Sequence, residues 1–185
     1  MKEARTALLV IATLTLLLGV AYPLIVTGIG QLVAPNRANG SFIAVDGRIV
    51  GSELIGQEFT SARYFHGRPS ASGYDPMASG GSNLGPSNPA LHRSVFERIE
   101  VIRRENRLPS AQPIPADLVL ASASGLDPEI SLDAALLQVA RVAAARGLAE
   151  HAVRAAVESK IREPFLGAFG ERRVNVLELN LALDG

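Results

Sequence analysis

Between Arg5 and Arg37 the chain carries no charged residue. Within that window Ala7 to Val26 is dominated by Leu, Ile and Val. As a helix this stretch rises roughly 30 Å, enough to cross the hydrocarbon core of a bilayer. Two readings compete. In a cleaved signal peptide, Lys2 and Arg5 would form the charged start and Gly19-Val20-Ala21 a small-residue cleavage site. The apolar run continues past that point through Leu24, Ile25, Val26, Ile29, Leu32 and Val33, too much for a mature soluble N-terminus. A retained anchor is therefore expected, residues 1–35 with a span over about 7–30. Pro23 is tolerable as a kink in a membrane helix. Lys2 and Arg5 sit on the short side of the span. The positive-inside rule then puts the N-terminus in the cytoplasm and residues 36–185 outside as a soluble domain. A single span cannot make a transport pathway, so a transport role requires partners.

Those 36–185 residues hold enough apolar material for one core, since 48% of the 185-residue chain is hydrophobic. Basic and acidic residues balance at 18 each, which argues against a nucleic-acid partner. The absence of cysteine excludes disulfides, thiolate nucleophiles and cysteine-bound metals. Of the basic residues only Lys2 and Lys160 are lysines, which leaves little room for Schiff-base or Walker-type chemistry.

Phe42–Val45 and Arg48–Val50 flank Asp46-Gly47, the pattern of a two-residue hairpin. Residues 60–88 are rich in Ser, Gly, Asn and Pro without periodicity, but Tyr64, Phe65 and Tyr74 argue against disorder. Asn88-Pro89 opens a helix to about Asn106, with Leu91, Val95, Ile99 and Ile102 on one face. A short helix is expected over about Pro115–Ser124. Ser131 caps another that ends before Gly147, and a third runs from about Ala149 to Glu163, stopped by Pro164. Val174 to Leu183 alternates Leu177, Leu179, Leu181 and Leu183, which predicts a closing strand, bulged or buried on both sides. Strands at both ends with helices between give an α+β class.

No site declares itself. Ala78–Pro86 resembles a phosphate cradle but lacks the Gly-Lys-Ser/Thr of a P-loop, and Gly80-Gly-Ser82 lacks the last glycine of a nucleophile elbow. His66, His92 and His151 show no metal-ligand spacing. Phe65-His66-Gly67-Arg68 reads equally as a packed loop and as a recognition surface, since Tyr, Phe and Arg anchor interfaces. The partner-interface candidates are Tyr64, Phe65, Arg68, Ser82 and Asn83. Two other classes stay open: a tethered hydrolase using Ser82 or Ser122 with Lys160, and a solute-binding module built on the 60–88 loop.

Five blocks carry a resemblance along nearly the whole chain. They are GSELIGQEF (Gly51–Phe59), YFHGRPSASGYDPMASGGSNLGPSNP (Tyr64–Pro89), PADLVLASASGLDPEIS (Pro115–Ser131), QVARVAAARG (Gln138–Gly147) and PFLGAFGERRVNVLELNLAL (Pro164–Leu183). In order and spacing they resemble the C subunits of Kdp-type potassium-transporting ATPases. Ala123 stands where that family tends to have glycine, and Glu129 where it often has histidine. The resemblance implies a non-catalytic accessory subunit of the bacterial inner membrane with no cofactor of its own. It also implies three partners, a channel-like potassium-binding subunit, a P-type ATPase subunit and a small membrane peptide. An assembly role follows, with a further role as a chaperone that raises the ATPase subunit's affinity for ATP. Gln138 to Arg146 is also similar to the end of the ABC-transporter signature motif. By that likeness Gln138, with Arg141, would touch nucleotide. The amphipathic pattern of its helix and the outward topology favour a structural role for Gln138 instead.

Overall fold

The computed structural model describes residues 2–185, which separate into two compact units divided between Val50 and Gly51. In the first, Lys2–Val33 (α1) is one continuous apolar helix, long and apolar enough to cross a membrane and with none of its central stretch buried by the rest of the protein. Its middle, Leu17–Ala21, widens into a π-helical turn just before Pro23. Proline lacks an N–H and crowds the preceding turn, and a local widening accommodates both effects. Phe42–Val45 (β1) and Arg48–Ser52 (β2) form the expected hairpin. Asp46 and Gly47 have φ of 50° and 76°, the double positive that a type I′ turn demands.

The second unit is α+β. Its helices are Pro89–Asn106 (α2), Ala116–Val119 (α3), Leu132–Arg146 (α4), Glu150–Ser159 (α5) and Val176–Asp184 (α6). Its strands are Glu129–Ser131 (β3), Ile161–Arg162 (β4) and Arg173–Asn175 (β5), antiparallel in the order β3-β5-β4. Ile130 pairs with Val174, and Val174 also faces Ile161. These residues cover one side of a core formed by Phe65, Val139, Val142, Val153, Val157 and Leu179. Local chemistry sets the helix ends. Asn88 caps α2 through Ala90 N, Ser131 caps α4 through Ala134 N, and Gly147 ends α4 in the left-handed region at φ 68°.

Three expectations change. The alternating leucines of 176–184 lie in a helix, not a strand. Asn175 caps it by accepting from Glu178 N, so β5 stops at the residue that starts α6. Helix α3 is one turn, Ala116–Val119, much shorter than expected. Helix α5 ends at Ser159 because Ile161 and Arg162 leave to pair with β5, well before Pro164.

Candidate functional site

Residues 61–68 belong to no helix or strand, so their backbone polar groups need other partners. Side chains from α4 and α6 supply them. Asn180 Oδ1 accepts from Phe65 N at 2.8 Å and its Nδ2 donates to Phe65 O at 3.0 Å. Gln138 does the same for the next residue: Oε1 accepts from His66 N at 2.8 Å and Nε2 donates to His66 O at 3.2 Å. Arg141 Nη1 donates to Ala62 O and Tyr64 O at 2.7 and 2.9 Å, and Arg146 Nε donates to Arg63 O at 2.7 Å. Ser61 O lies 3.2 Å from His66 Nε2. Every carbonyl from Ser61 to His66 thus meets a side chain. Gln138 and Arg141 can share this task because three helical residues bring them to one face.

The electrostatics are tight. Gln138 Oε1 also accepts from Arg141 Nη2 at 2.6 Å, and Nε2 also donates to Ala134 O at 3.1 Å. Two donors and two lone pairs are all that an amide offers, so the group is saturated. It is also buried, at 2% exposure. Arg141 gives its Nε to Asn106 Oδ1 at 3.0 Å, and burial pulls its pKa below the ordinary value against the opposing pull of Glu105. His66 is likewise pushed down, first by burial and then by Arg141, while the Ser61 carbonyl and Glu105 push it up. Arg146 ties this segment, the strap of residues 61–68, to the C-terminal end of α6. It bonds Leu183 O at 2.6 Å and Asp184 Oδ1 at 2.9 Å, and lies 5.1 Å from the Tyr64 ring. The Tyr64 hydroxyl reaches Asp184 Oδ2 at 3.0 Å.

The interface candidates fall into two groups. Phe65 is fully buried in this chain's own core, and Tyr64 and Arg68 are engaged within the chain, Arg68 with Asp127 at 3.0 Å. Ser82 and Asn83 are exposed, and Asn83 has φ 52°. The segment after the strap is fastened to the 120–127 turn. Ser70 Oγ donates to Gly125 O at 2.7 Å, Gly80 N donates to Ser124 O at 2.8 Å, and Ser122 N donates to Pro69 O at 3.1 Å. The Tyr74 hydroxyl closes on the Arg68 carbonyl. Gly125 combines φ +69° with a position where a Cβ would come 2.4 Å from Ser72 Oγ, so only glycine fits.

Two clefts, of about 470 and 640 Å³, share His66 and Glu105 in their linings. The first is lined by Phe59, Val101, Ile102 and Leu118 together with Glu97 and Tyr74. Among the described residues Lys160 makes no hydrogen bond or ion pair with Ser82 or Ser122, and no group of three or more His, Asp or Glu side chains could hold a metal ion. Sequence reasoning missed Asn180 and Arg146. Asn180 shows as a polar residue inside a leucine-rich run, but that signal has meaning only once the run is known to be a helix.

A family model described as KdpC, the c chain of a K+-transporting ATPase, matches residues 4–185. A potassium-transporting ATPase KdpC subunit from Nitratidesulfovibrio vulgaris is 55% identical over 97% of this chain and 92% of its own length. The corresponding subunit from Methylibium petroleiphilum is 56% identical over 98% and 96%. That from Mycobacterium bovis is 49% identical over 99% and 98%.

Proposed function

The chain belongs to the KdpC family of potassium-transporting ATPase subunits, and from that premise we propose that it performs no chemistry and works by stabilising one arrangement of its partners. As an accessory subunit it serves a potassium-transport complex. In our reading its companions are the channel-like potassium-binding subunit, the P-type ATPase subunit and the small membrane peptide. Its anchor enters the bilayer from the cytoplasmic side and the second unit lies outside the cytoplasm, supported by Lys2 and Arg5 on the short side of α1.

In this reading the subunit raises the ATP affinity of the ATPase subunit indirectly. A partner that binds one conformational state better than another shifts the equilibrium by that difference, and ~1–3 kcal/mol alters apparent affinity several-fold. The observation that carries this is the saturated amide of Gln138. All four of its hydrogen-bonding positions serve His66, Ala134 and Arg141, so nucleotide could be contacted only by dismantling the strap. Arg141, the other nucleotide candidate, spends its donors on Ala62, Tyr64, Asn106 and Gln138.

The test is the ATP dependence of the assembled complex. With Gln138→Ala, complexes that still assemble should need an unchanged ATP concentration for half activity. A photoreactive ATP analogue should label the ATPase subunit and not this chain. Labelling of this chain that Gln138→Ala abolishes, with assembly intact, would establish direct contact and refute the reading.

A further inference from the structure

The chain does not lift away from the last turn of α1 where that helix ends. Ala34 N donates to Gly30 O at 2.9 Å, and a single helical turn, Pro35–Ala38, then folds back beside α1. A Cβ on Gly30 would lie 3.9 Å from the Ala38 Cβ. Next to this contact two amides bond reciprocally. Asn39 Nδ2 donates to Gln31 Oε1 at 3.0 Å, and Gln31 Nε2 donates to Asn39 Oδ1 at 3.2 Å. Asn39 Nδ2 also donates to Pro35 O at 2.8 Å, and Ser41 N donates to Asn36 O at 2.8 Å. The Phe42 ring lies against Gly40, where φ is 90° and a Cβ would come 3.2 Å from Phe42 Cε2. The start of β1 is thereby held close to the level of Gln31. Residues 7–33 rise about 40 Å as a helix, against a hydrocarbon core of about 30 Å. Tilt takes up such an excess, so Gln31 stands at the lipid–water boundary.

The hairpin meets that boundary with apolar side chains, Phe42 at 64% and Ile49 at 66% exposure. Side chains alternate along a strand, and the two-residue loop sets Ala44 opposite Ile49, so Phe42 and Ile49 share one face. The charged residues of 34–50 are Arg37, Asp46 and Arg48. A guanidinium pairs well with phosphate while its stem covers apolar surface. The next charge, Glu53, is held by Arg162 at 3.3 Å. We propose that the β1–β2 hairpin is a second membrane contact. Its Phe42–Ile49 face rests in the headgroup layer of the leaflet in which α1 ends, and Arg37 and Arg48 meet lipid phosphates. The proposal rests on the reading of α1 as a retained span. Lipid is favoured over a companion subunit because the Gln31–Asn39 clamp ties this face to the anchor itself, at the depth where amphipathic elements lie in the interface. Interfacial anchors of this kind set the tilt and rotation of a membrane helix.

The chain contains no tryptophan, so single replacements report their own surroundings. The full-length variants are placed in vesicles of phosphatidylcholine and phosphatidylglycerol. Emission from Phe42→Trp and from Ile49→Trp should fall at least about twofold with 5-doxyl phosphatidylcholine, whose quencher sits just below the headgroups. Emission from Met77→Trp, at a position 92% exposed, should not change. Leu18→Trp, in the middle of the span, should be quenched by 12-doxyl phosphatidylcholine. Quenching at Leu18→Trp without quenching at either hairpin position overturns the proposal and leaves the anchor reading standing. No quenching at Leu18→Trp overturns both. The assembled complex in lipid nanodiscs provides the second measurement. The photoreactive residue p-benzoylphenylalanine in place of Phe42 should give a light-dependent adduct with lipid. An adduct with a companion subunit instead, or none, overturns the proposal.

Discussion

The side-chain amide of Asn180 forms a two-bond ring with the backbone of Phe65, taking its N–H at 2.8 Å and reaching its carbonyl at 3.0 Å. The ring stands in for a strand neighbour, and it holds Phe65 so that its side chain is fully buried among the core residues. Gln138 repeats the arrangement on His66 from α4. Two helices thus grip consecutive residues of one irregular segment.

Asn180→Leu should therefore be costly although leucine suits a buried helix face. It leaves the Phe65 N–H and C=O without these bonds in a dry interior, at about 1–3 kcal/mol for each group. Denaturant unfolding of the chain should show a loss of about 2–4 kcal/mol. A loss below about 0.5 kcal/mol would mean that the strap is not held this way.

Asn175 joins β5 to α6. Its Oδ1 caps the helix through Glu178 N at 3.1 Å, and its Nδ2 donates to Glu53 O at 2.8 Å. Asn175→Ala should cost about 2–3 kcal/mol, the sum of a lost cap and a lost buried hydrogen bond. Asn175→Ser restores an N-cap oxygen and should recover part of the loss in the same unfolding experiment. Equal losses for both variants would assign the whole effect to the Glu53 contact.

What the sequence revealed depended on how local the determining interaction was. The apolar helix α1, the Asp46-Gly47 hairpin, and the Asn88, Ser131 and Gly147 helix ends are set by neighbours a few residues apart, and all could be read directly. The final segment misled because Leu177, Leu179, Leu181 and Leu183 alternate as in a strand, while the stronger signal was Asn175 followed three residues later by Glu178. The strap could not be read at all. Its bonds join residues 72 and 115 positions apart, and nothing in Phe65-His66 shows that two amides will replace a sheet. Gln138 was legible in part: its helix read as structural, but the saturation of its amide depends on the backbone of His66, 72 positions away.

Topology gives a further expectation. With Lys2 and Arg5 retained in the cytoplasm, protease added to intact spheroplasts should cleave the second unit. The exposed turn at Phe165–Phe169 offers a site for a chymotrypsin-like enzyme in any molecule not shielded by partners. Complete protection until lysis, with full cleavage afterwards, would place the unit in the cytoplasm.

His66 should make the strap sensitive to pH. Burial and then the Arg141 charge hold its pKa below the ordinary 6.5, outweighing the Ser61 carbonyl and Glu105. The unfolded chain therefore binds the proton more readily than the folded one, and stability rises with pH wherever that difference exists. The contribution is fully present above about 6.5 and is lost as the pH falls through the lowered folded value. Thermal unfolding across that interval should show the melting temperature dropping before the carboxylates begin to titrate. In His66→Gln, which keeps the backbone bonded to Gln138 but carries no titratable ring, this early drop should vanish while the later acid transition remains. An identical pH profile in both proteins would show that His66 is not the group responsible.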